Sequence, residues 1–251
     1  MLRASSATLA AAVRRVPTRR RRCLAAAADS ADSAAGVRAA FLGRRTVGAF
    51  SPRPVPGEAI VRAAEAARHA PNHKLSEPFT LRWCSPPTRA RICALQANVL
   101  AEHGEGPKRI AGKMKRWSAI PEMIAVTVRR DREAEAGRGV DADAIDAGEA
   151  AFAAACGGLR AHEDKMSAAA AIQSLLVSLA SEGIGSKWST GAITRTSRFA
   201  EIVGYDVDEE VCLALVHAGY AEEGREAKGG LRRRPLEADV EGEGDAVLRR
   251  V

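Results

Sequence analysis

The strongest structural pattern in the sequence is a helical repeat of aliphatic residues that begins near Asp164 and ends before Gly183. The core positions of this repeat are Ile172, Leu175, Leu176 and Leu179. Small residues at 168–171 let a neighbouring backbone approach closely, and Gly183 suits the left-handed position that often ends a helix. The pattern therefore predicts a long helix that is buried along one face.

Shorter apolar patterns predict strands on both sides of this helix. Phe79, Leu81 and Trp83 alternate with more polar residues, which is the period of a half-buried strand, and we expect Trp83 in the core. Residues 123–128 are a second strand candidate, and residues 211–218 are apolar on both faces, as in a buried strand. Because strands and helices do not alternate one for one, we expect an α+β fold rather than a doubly wound sheet.

Three further helices are predicted at residues 58–70, 92–100 and 199–203. In the first, we expect Ile60, Val61 and Ala64 to share the buried face. Pro71 ends this helix, because the residue before a proline is disfavoured in helical conformation.

The N-terminal 28 residues contain seven arginines and no acid, and the first acidic residue is Asp29. An Arg-rich, acid-free start with many Ala and Ser residues is typical of a transit peptide, so we expect an organelle, with the plastid ahead of the mitochondrion. A basic arm that binds nucleic acid is the alternative. The formal net charge of +7 comes from this leader, because the rest holds 31 basic and 31 acidic residues. A near-neutral body argues against nucleic acid as a partner.

Composition also divides the remaining chain. Residues 29–36 are small and polar and are predicted to be a linker, residues 37–221 form the folded domain, and residues 222–251 form a charged C-terminal tail. Within the domain, residues 131–159 are rich in Ala, Gly and acid and are interpreted as an insertion. No segment offers the roughly 20 apolar residues that a spanning helix needs, so no membrane partner is expected. Five cysteines without a paired spacing are expected to be reduced and mostly buried.

Arg44, Arg45 and Thr46 place two guanidinium groups and a hydroxyl just after residues 37–42, which are predicted to form a short helix. Such donors suit a phosphate group, and hydrogen bonds to charged groups contribute roughly 1.5–3 kcal/mol each. Zinc is not expected, although His69 and His73 have i, i+4 spacing, because Pro71 breaks the helix that would align them. The glycines at 183 and 185 follow a helix rather than a strand, which argues against a Rossmann site.

Several motifs, in order, resemble the FMN-dependent nitroreductase family. They are the runs Arg-Arg-Thr-Val-Gly-Ala-Phe (44–50), Pro-Val-Pro (54–56), Ala-Ala-Arg-His-Ala-Pro-Asn-His-Lys (66–74), Glu-Pro-Phe (77–79), Gly-Ile-Gly-Ser-Lys-Trp-Ser-Thr-Gly-Ala (183–192) and the apolar segment 211–219. The piece Ala-Pro-Asn-His-Lys is similar to a small bacterial subgroup named NAD(P)H nitroreductases. The resemblance covers most of residues 37–221, with a gap at the insertion.

The resemblance implies a central, mostly antiparallel sheet flanked by helices, and a homodimer with FMN at the interface. It implies that Arg44, Arg45 and Thr46 bind the FMN phosphate and ribityl chain, and that His73 approaches the flavin from the opposite subunit. The remaining implied cofactor-binding residues are Trp188, Ser189 and Thr190 around the ring and tail, Arg233 at the phosphate, and His69, which stands where the subgroup suggests arginine.

The implied activity is an FMN-dependent oxidoreductase that passes electrons from NAD(P)H to an electron-poor small molecule, of nitroaromatic or quinone type, by a ping-pong hydride mechanism. In such an enzyme the flavin N5 is the reactive centre, and no catalytic side chain is needed. One alternative keeps the fold but changes the chemistry, to flavin fragmentation or reductive dehalogenation. Another is a cofactor-free protein whose basic tail binds nucleic acid or a partner.

Overall fold

A computed structural model describes residues 31–130 and 159–224. The chain divides into two compact units, Met1–Ala39 and Ala40–Val251. The predicted transit peptide, most of the 131–159 insertion and nearly all of the C-terminal tail lie outside the described residues. No described helix is both long enough and apolar enough to cross a bilayer.

Four strands form one antiparallel sheet in the order β1-β2-β4-β3. They are β1 (Phe79–Trp83), β2 (Glu122–Arg129), β3 (Gly185–Ser189) and β4 (Glu210–Gly219). The central strands β2 and β4 are apolar on both faces and are buried at residues 123–128 and 214–219. This agrees with the buried strand predicted at 211–218, although residues 211–213 are only half-buried. The strands β1 and β3 lie at opposite edges of the sheet, and this separation determines where the predicted site residues meet.

Six α-helices are described: α1 (Ala31–Gly43), α2 (Gly57–Arg68), α3 (Pro86–Glu102), α4 (Pro107–Ser118), α5 (Leu159–Ser181) and α6 (Ser197–Val203). Helices α2 and α5 pack on one face of the sheet, where Ile172, Leu175 and Leu179 are buried. On the other face, residues of α3 and α6, among them Ile92 and Phe199, bury a second cluster. The structure thus confirms the α+β class, the antiparallel sheet and the long helix that the aliphatic repeat predicts.

The structure corrects the expected burial of two side chains and shows a helix near the start of the described residues. Helix α1 begins at Ala31, so most of the predicted linker 29–36 is helical, since its alanines favour a helix. Val61 is exposed, because the face of α2 that packs inward runs through Ala59, Ile60, Ala63 and Ala67. Trp83 is 39 % exposed and donates from Nε1 to Glu122, so it lies at the sheet margin rather than in the core.

The amphipathic helix α4 was not predicted, because it has no buried residue and its sequence is dominated by lysine and arginine. Strand β3, at residues 185–189, was also not predicted. That strand is at an edge and carries polar residues, which leaves no apolar alternation to identify it.

Candidate functional site

The predicted phosphate-binding segment is joined to strand β3 through the backbone. The Val47 amide donates to the Ser186 carbonyl at 3.0 Å, and Thr46 and Ser186 form an isolated parallel bridge. Gly185 permits this approach, because a Cβ at that position would lie 2.5 Å from Val47 Cγ2. Residues 44–46 and strand β3, two segments about 140 positions apart in sequence, are therefore held side by side.

Arg44 and Arg45 differ in what their side chains can still bind. The Nη1 atom of Arg45 donates to the carbonyls of Leu42 at 2.6 Å and Arg44 at 3.0 Å, so this guanidinium caps the C-terminal end of α1. Arg44 is half-buried and has no carboxylate partner in the described ranges. Arg44 is consequently the guanidinium that is free to receive an anion, while Arg45 shapes the end of the helix beside it.

Strand β3 presents a buried hydroxyl and an exposed ring next to this segment. The side-chain oxygen of Ser186 is buried and has no hydrogen-bond partner among the described residues. Trp188 is 39 % exposed, Ser189 is half-buried and Thr190 is exposed. Because buried hydroxyls almost always have a partner, the orphaned Ser186 oxygen is an unsatisfied polar group directly beside residues 44–46.

His73 lies in a strained turn at the other end of the molecule, between α2 and β1. Three residues in this turn have left-handed backbone conformation without being glycine: Lys74 at φ 52°, Leu75 at φ 54° and Glu77 at φ 42°. The Asn72 side chain spans the turn, with Nδ2 donating to the Ala70 carbonyl at 3.2 Å and Oδ1 accepting from the Glu77 amide at 3.1 Å. Left-handed residues cost about 1–2 kcal/mol each, so these side-chain bonds maintain a conformation that the local sequence disfavours.

Glu163 connects this turn to the long helix α5. Its Oε2 atom lies 3.2 Å from Nδ1 of His73. The next residue, Asp164, is buried and pairs with Arg129 of β2 at 3.2 Å. The turn that carries His73 is thus attached, through successive acidic residues of α5, to the same end of the sheet as Arg129.

Two shallow clefts lie along β1 beside this turn. One of about 260 Å³ is lined by Glu77, Pro78, Thr80, Arg129, Glu209 and Glu210. The other, of about 320 Å³, is lined by Ala64, Arg68, Glu77, Phe79, Thr80 and Leu81. Both clefts are lined in part by Glu77 and Thr80, so both lie at the β1 edge.

His69 and its neighbour Arg68 are both engaged by carboxylates. His69 ends helix α2 with its ring 78 % exposed, and its Nε2 atom lies 3.6 Å from Glu65. Arg68 pairs with Glu65 at 3.5 Å and with Glu77 at 3.6 Å. Neither side chain comes near the Thr46–Ser186 bridge in the same chain, because α2 ends beside the turn of His73.

The structure therefore brings Arg44, Thr46 and the residues of β3 together and places His73 elsewhere. Phe79, the first strand residue after the turn of His73, is at the level of Val211 in β4, whereas Ser186 pairs with Ala218. Seven residues of strand correspond to roughly 23 Å, and three strand spacings across the sheet add roughly 14 Å. One chain alone cannot bring His73 against a ligand held at Thr46 and Trp188.

Two residues of this arrangement were missed by sequence reasoning. Glu163 belongs to a His-Glu-Asp run that stands out only as an incomplete zinc motif, and its partner is 90 positions away. Ser186 lies in the quoted 183–192 run, but nothing in the sequence shows that its hydroxyl is orphaned.

Arg233 lies outside the described residues. No group of three or more metal-ligating side chains occurs within residues 31–130 and 159–224.

Burial favours the neutral form of two cysteines and one histidine. Burial raises the pKa of the Cys84 thiol to about 11 and that of Cys212 to about 12, so both remain thiols. Burial, reinforced by the charge of Lys187 on β3, lowers the pKa of His217 to about 3. Cys84, Cys93 and Cys212 are free cysteines, as predicted, although only Cys84 is fully buried. The other two cysteines lie outside the described residues.

The chain matches a family model described as "Nitroreductase family" over residues 42–220. It is 23 % identical over 190 residues to a Bacillus subtilis protein named "Putative NAD(P)H nitroreductase YfhC", covering 74 % of this chain and 84 % of that protein.

Two solved structures share the fold. A nitroreductase-like family protein from Bacillus cereus superposes with a TM-score of 0.59 at 21 % identity, covering 82 % of this chain and 95 % of its own. A Desulfovibrio desulfuricans nitroreductase, solved in complex with FMN, gives a TM-score of 0.56 at 18 % identity, covering 83 % and 96 %. The family model agrees with the matched motifs and with the antiparallel sheet on which a long helix packs. The chain belongs to the nitroreductase family.

Proposed function

We propose that this protein is a homodimeric FMN-dependent oxidoreductase that takes electrons from NAD(P)H and reduces an electron-poor small molecule of nitroaromatic or quinone type. The bridge between Thr46 and Ser186 is the observation that carries this proposal. The bridge brings the segment of Arg44 next to the strand that carries Ser186 and Trp188. This region therefore contains a guanidinium without a carboxylate partner among the described residues, an exposed indole and a buried hydroxyl without a described partner. Those groups match a cofactor with an anionic end and a flat polar ring.

The residues present fit FMN in charge and in hydrogen bonding. Arg44 would hold the phosphate, with Thr46 adding a hydroxyl, while Arg45 fixes the end of α1 behind them. Arg233 from the tail, and His69 from a partner subunit, would add phosphate contacts. Trp188, Ser189 and Thr190 would line the ring and ribityl chain, and the backbone amides of residues 188–191 would stabilise negative charge on it. When bound, FMN supplies the two-electron chemistry, accepting hydride from NAD(P)H and reducing the acceptor in a ping-pong sequence.

A second copy of the chain would complete the site. His73 lies at the opposite edge of the sheet from Thr46, so a histidine that contacts the same flavin must come from a partner subunit. The strained turn and its attachment to α5 hold His73 at the surface, where a partner can reach it. Cofactor binding and dimer formation would therefore be coupled.

The proposal is tested by purifying the full chain and measuring its flavin content and redox response. We expect a yellow protein with one FMN per chain, and loss of the 450 nm band when NADH or NADPH is added without oxygen. Restoration of the band by a quinone or a nitroaromatic compound would support the acceptor class. A protein that stays colourless after FMN addition would rule out a flavoenzyme, and a reduced flavin that neither acceptor reoxidises would favour another chemistry of this fold.

We also propose that residues 1–28 direct the protein to an organelle, with the plastid as first choice. The support is compositional, since the segment holds seven arginines and no acid. Fusion of this segment to a fluorescent protein should give organellar fluorescence in plant cells. A matched fusion with the arginines replaced by glutamine should remain in the cytosol, and equal distribution of both fusions would contradict the assignment.

A further inference from the structure

We propose that Glu163 is a positioning residue, which holds the imidazole of His73 so that its Nε2 atom accepts a hydrogen bond from bound FMN. The inference rests on the FMN site proposed above. It starts from the contact of 3.2 Å between Glu163 Oε2 and His73 Nδ1. Nothing in the reductase chemistry itself requires an acidic residue at this place.

The chemistry of the pair fixes which ring nitrogen carries hydrogen. A carboxylate can only accept hydrogen bonds, so Nδ1 of His73 is the donor in any hydrogen bond between these two atoms. In a neutral imidazole the other nitrogen, Nε2, then has a lone pair and acts as an acceptor. FMN offers matching donors, an imide N–H on the ring and hydroxyls on the ribityl chain. Without Glu163 the ring could adopt either tautomer.

Glu163 is well placed to orient a ring, because the helix that carries it is anchored. Its neighbour Asp164 is buried and accepts from both Nε and Nη2 of Arg129, at 3.3 and 3.2 Å. Its own carbonyl accepts from the Ser167 hydroxyl at 2.9 Å. By contrast, the turn that carries His73 contains three left-handed residues and an 85 % exposed Leu75. The rigid partner is therefore the helix, and the ring is the group that is held.

The tautomer of His73 can be read directly in the full chain without FMN. Two-bond proton–nitrogen correlation spectra of histidine-labelled protein distinguish Nδ1–H from Nε2–H, and a His73→Gln variant assigns the signal. We expect the Nδ1–H tautomer in the parent, a mixture in Glu163→Ala, and recovery in Glu163→Gln, whose amide oxygen still accepts. The matched control is Glu65→Ala, which removes a carboxylate from the exposed His69 and should leave the His73 signal unchanged.

FMN titration, followed by fluorescence quenching, tests whether this orientation serves the cofactor. We expect FMN to bind about tenfold more weakly to Glu163→Ala and with near-parent affinity to Glu163→Gln and Glu65→Ala. The thermal unfolding midpoint of each variant reports whether the fold is kept, and the spectra of Glu163→Gln provide the comparison if the alanine variant unfolds.

Each outcome has one meaning. An unchanged His73 tautomer in Glu163→Ala would overturn the positioning role, whatever happens to FMN. A changed tautomer with parent-like FMN affinity would overturn the link to the cofactor. If the parent chain shows the Nδ1–H tautomer but binds no FMN, the proposed function fails while the Glu163–His73 pair stands as a structural contact only.

Discussion

The two parts of the proposed FMN site are built in different ways. At the β3 edge, residues 44–47 are held to Ser186 by backbone pairing. The missing side chain of Gly185 makes room for this close approach. At the β1 edge, His73 is held by side chains, namely Asn72 within the turn and Glu163 from α5. The stability of the first part should depend on close packing and burial, and that of the second part on individual side-chain contacts. Substitutions in the two parts should therefore differ in both size and kind of effect.

Acid should destabilise the β3 part most. His217 of β4 is 2 % exposed, packs edge-on against Trp117 and pairs with Lys187 of β3. Its pKa is lowered to about 3 in the folded protein from 6.5, so the unfolded chain takes up the proton first as pH falls. Stability is therefore lost below pH 6.5, by about 3 kcal/mol between pH 7 and pH 4.

Urea unfolding at pH 7 and pH 4 measures this loss, with His217→Met as the comparison. The methionine variant should lose about 3 kcal/mol less than the parent over the same interval. Equal losses in the two proteins would show that His217 does not cause the acid sensitivity.

Gly185→Ala should be the most damaging single methyl addition in the site. The new Cβ would lie 2.5 Å from Val47 Cγ2 and 3.1 Å from the Gly219 carbonyl. We expect a loss of about 2 kcal/mol in the free energy of unfolding, together with weaker FMN binding, because the Thr46–Ser186 bridge must move. Gly48→Ala is the matched control, since its Cβ would meet nothing within 4 Å. A comparable loss in both variants would mean that the close approach is not what constrains the site.

Arg44→Ala should weaken FMN binding without unfolding the protein. A charged hydrogen bond of about 2 kcal/mol corresponds to roughly a thirtyfold increase in Kd. Arg53→Ala is the control. Among the contacts described, Arg53 stacks only on the Tyr220 ring, so the variant loses a cation and should still bind FMN like the parent. Parent-like affinity in Arg44→Ala would remove this residue from the phosphate site.

Asn72→Ala should have the smallest of these free-energy effects and should act on the β1 part alone. It removes two hydrogen bonds that hold the strained turn, with an expected loss of about 1–2 kcal/mol. The exposed helical residue Asn98 provides the control, because its replacement by alanine should be neutral or slightly stabilising. If Asn72→Ala is as stable as the parent, the left-handed residues do not depend on this side chain.

The sequence predicted the parts of the fold that burial dictates. The aliphatic repeat ending at Leu179 and the apolar segment 211–218 gave the long helix and the central strand, because a core demands such patterns. The edge strand β3 and the basic helix α4 were missed, since neither buries an apolar face of its own. Trp83 was wrongly predicted to lie in the core for a related reason. Alternation of apolar residues shows which face of the sheet a side chain occupies, but not whether another element covers that face.

The candidate site was predictable only through the resemblance of its motifs to a family. No local pattern indicates that Thr46 pairs with Ser186 or that Glu163 meets His73, because both contacts join segments far apart in the chain. The division of the site between two sheet edges likewise depends on strand order, which the motifs do not encode. The motifs identify candidate residues, and the topology determines that they belong to two parts.

A mixed dimer tests most directly whether two chains share each FMN site. One full-length chain would carry Arg44→Ala and the other His73→Ala, with different affinity tags so that the heterodimer can be purified. If Arg44 of one chain and His73 of the other serve the same flavin, the heterodimer contains one intact site and one doubly altered site. We predict that it binds one FMN with parent affinity, whereas neither altered homodimer does. A heterodimer without any parent-like site would show that both residues act within one chain, or that they do not share a site, and would contradict the account.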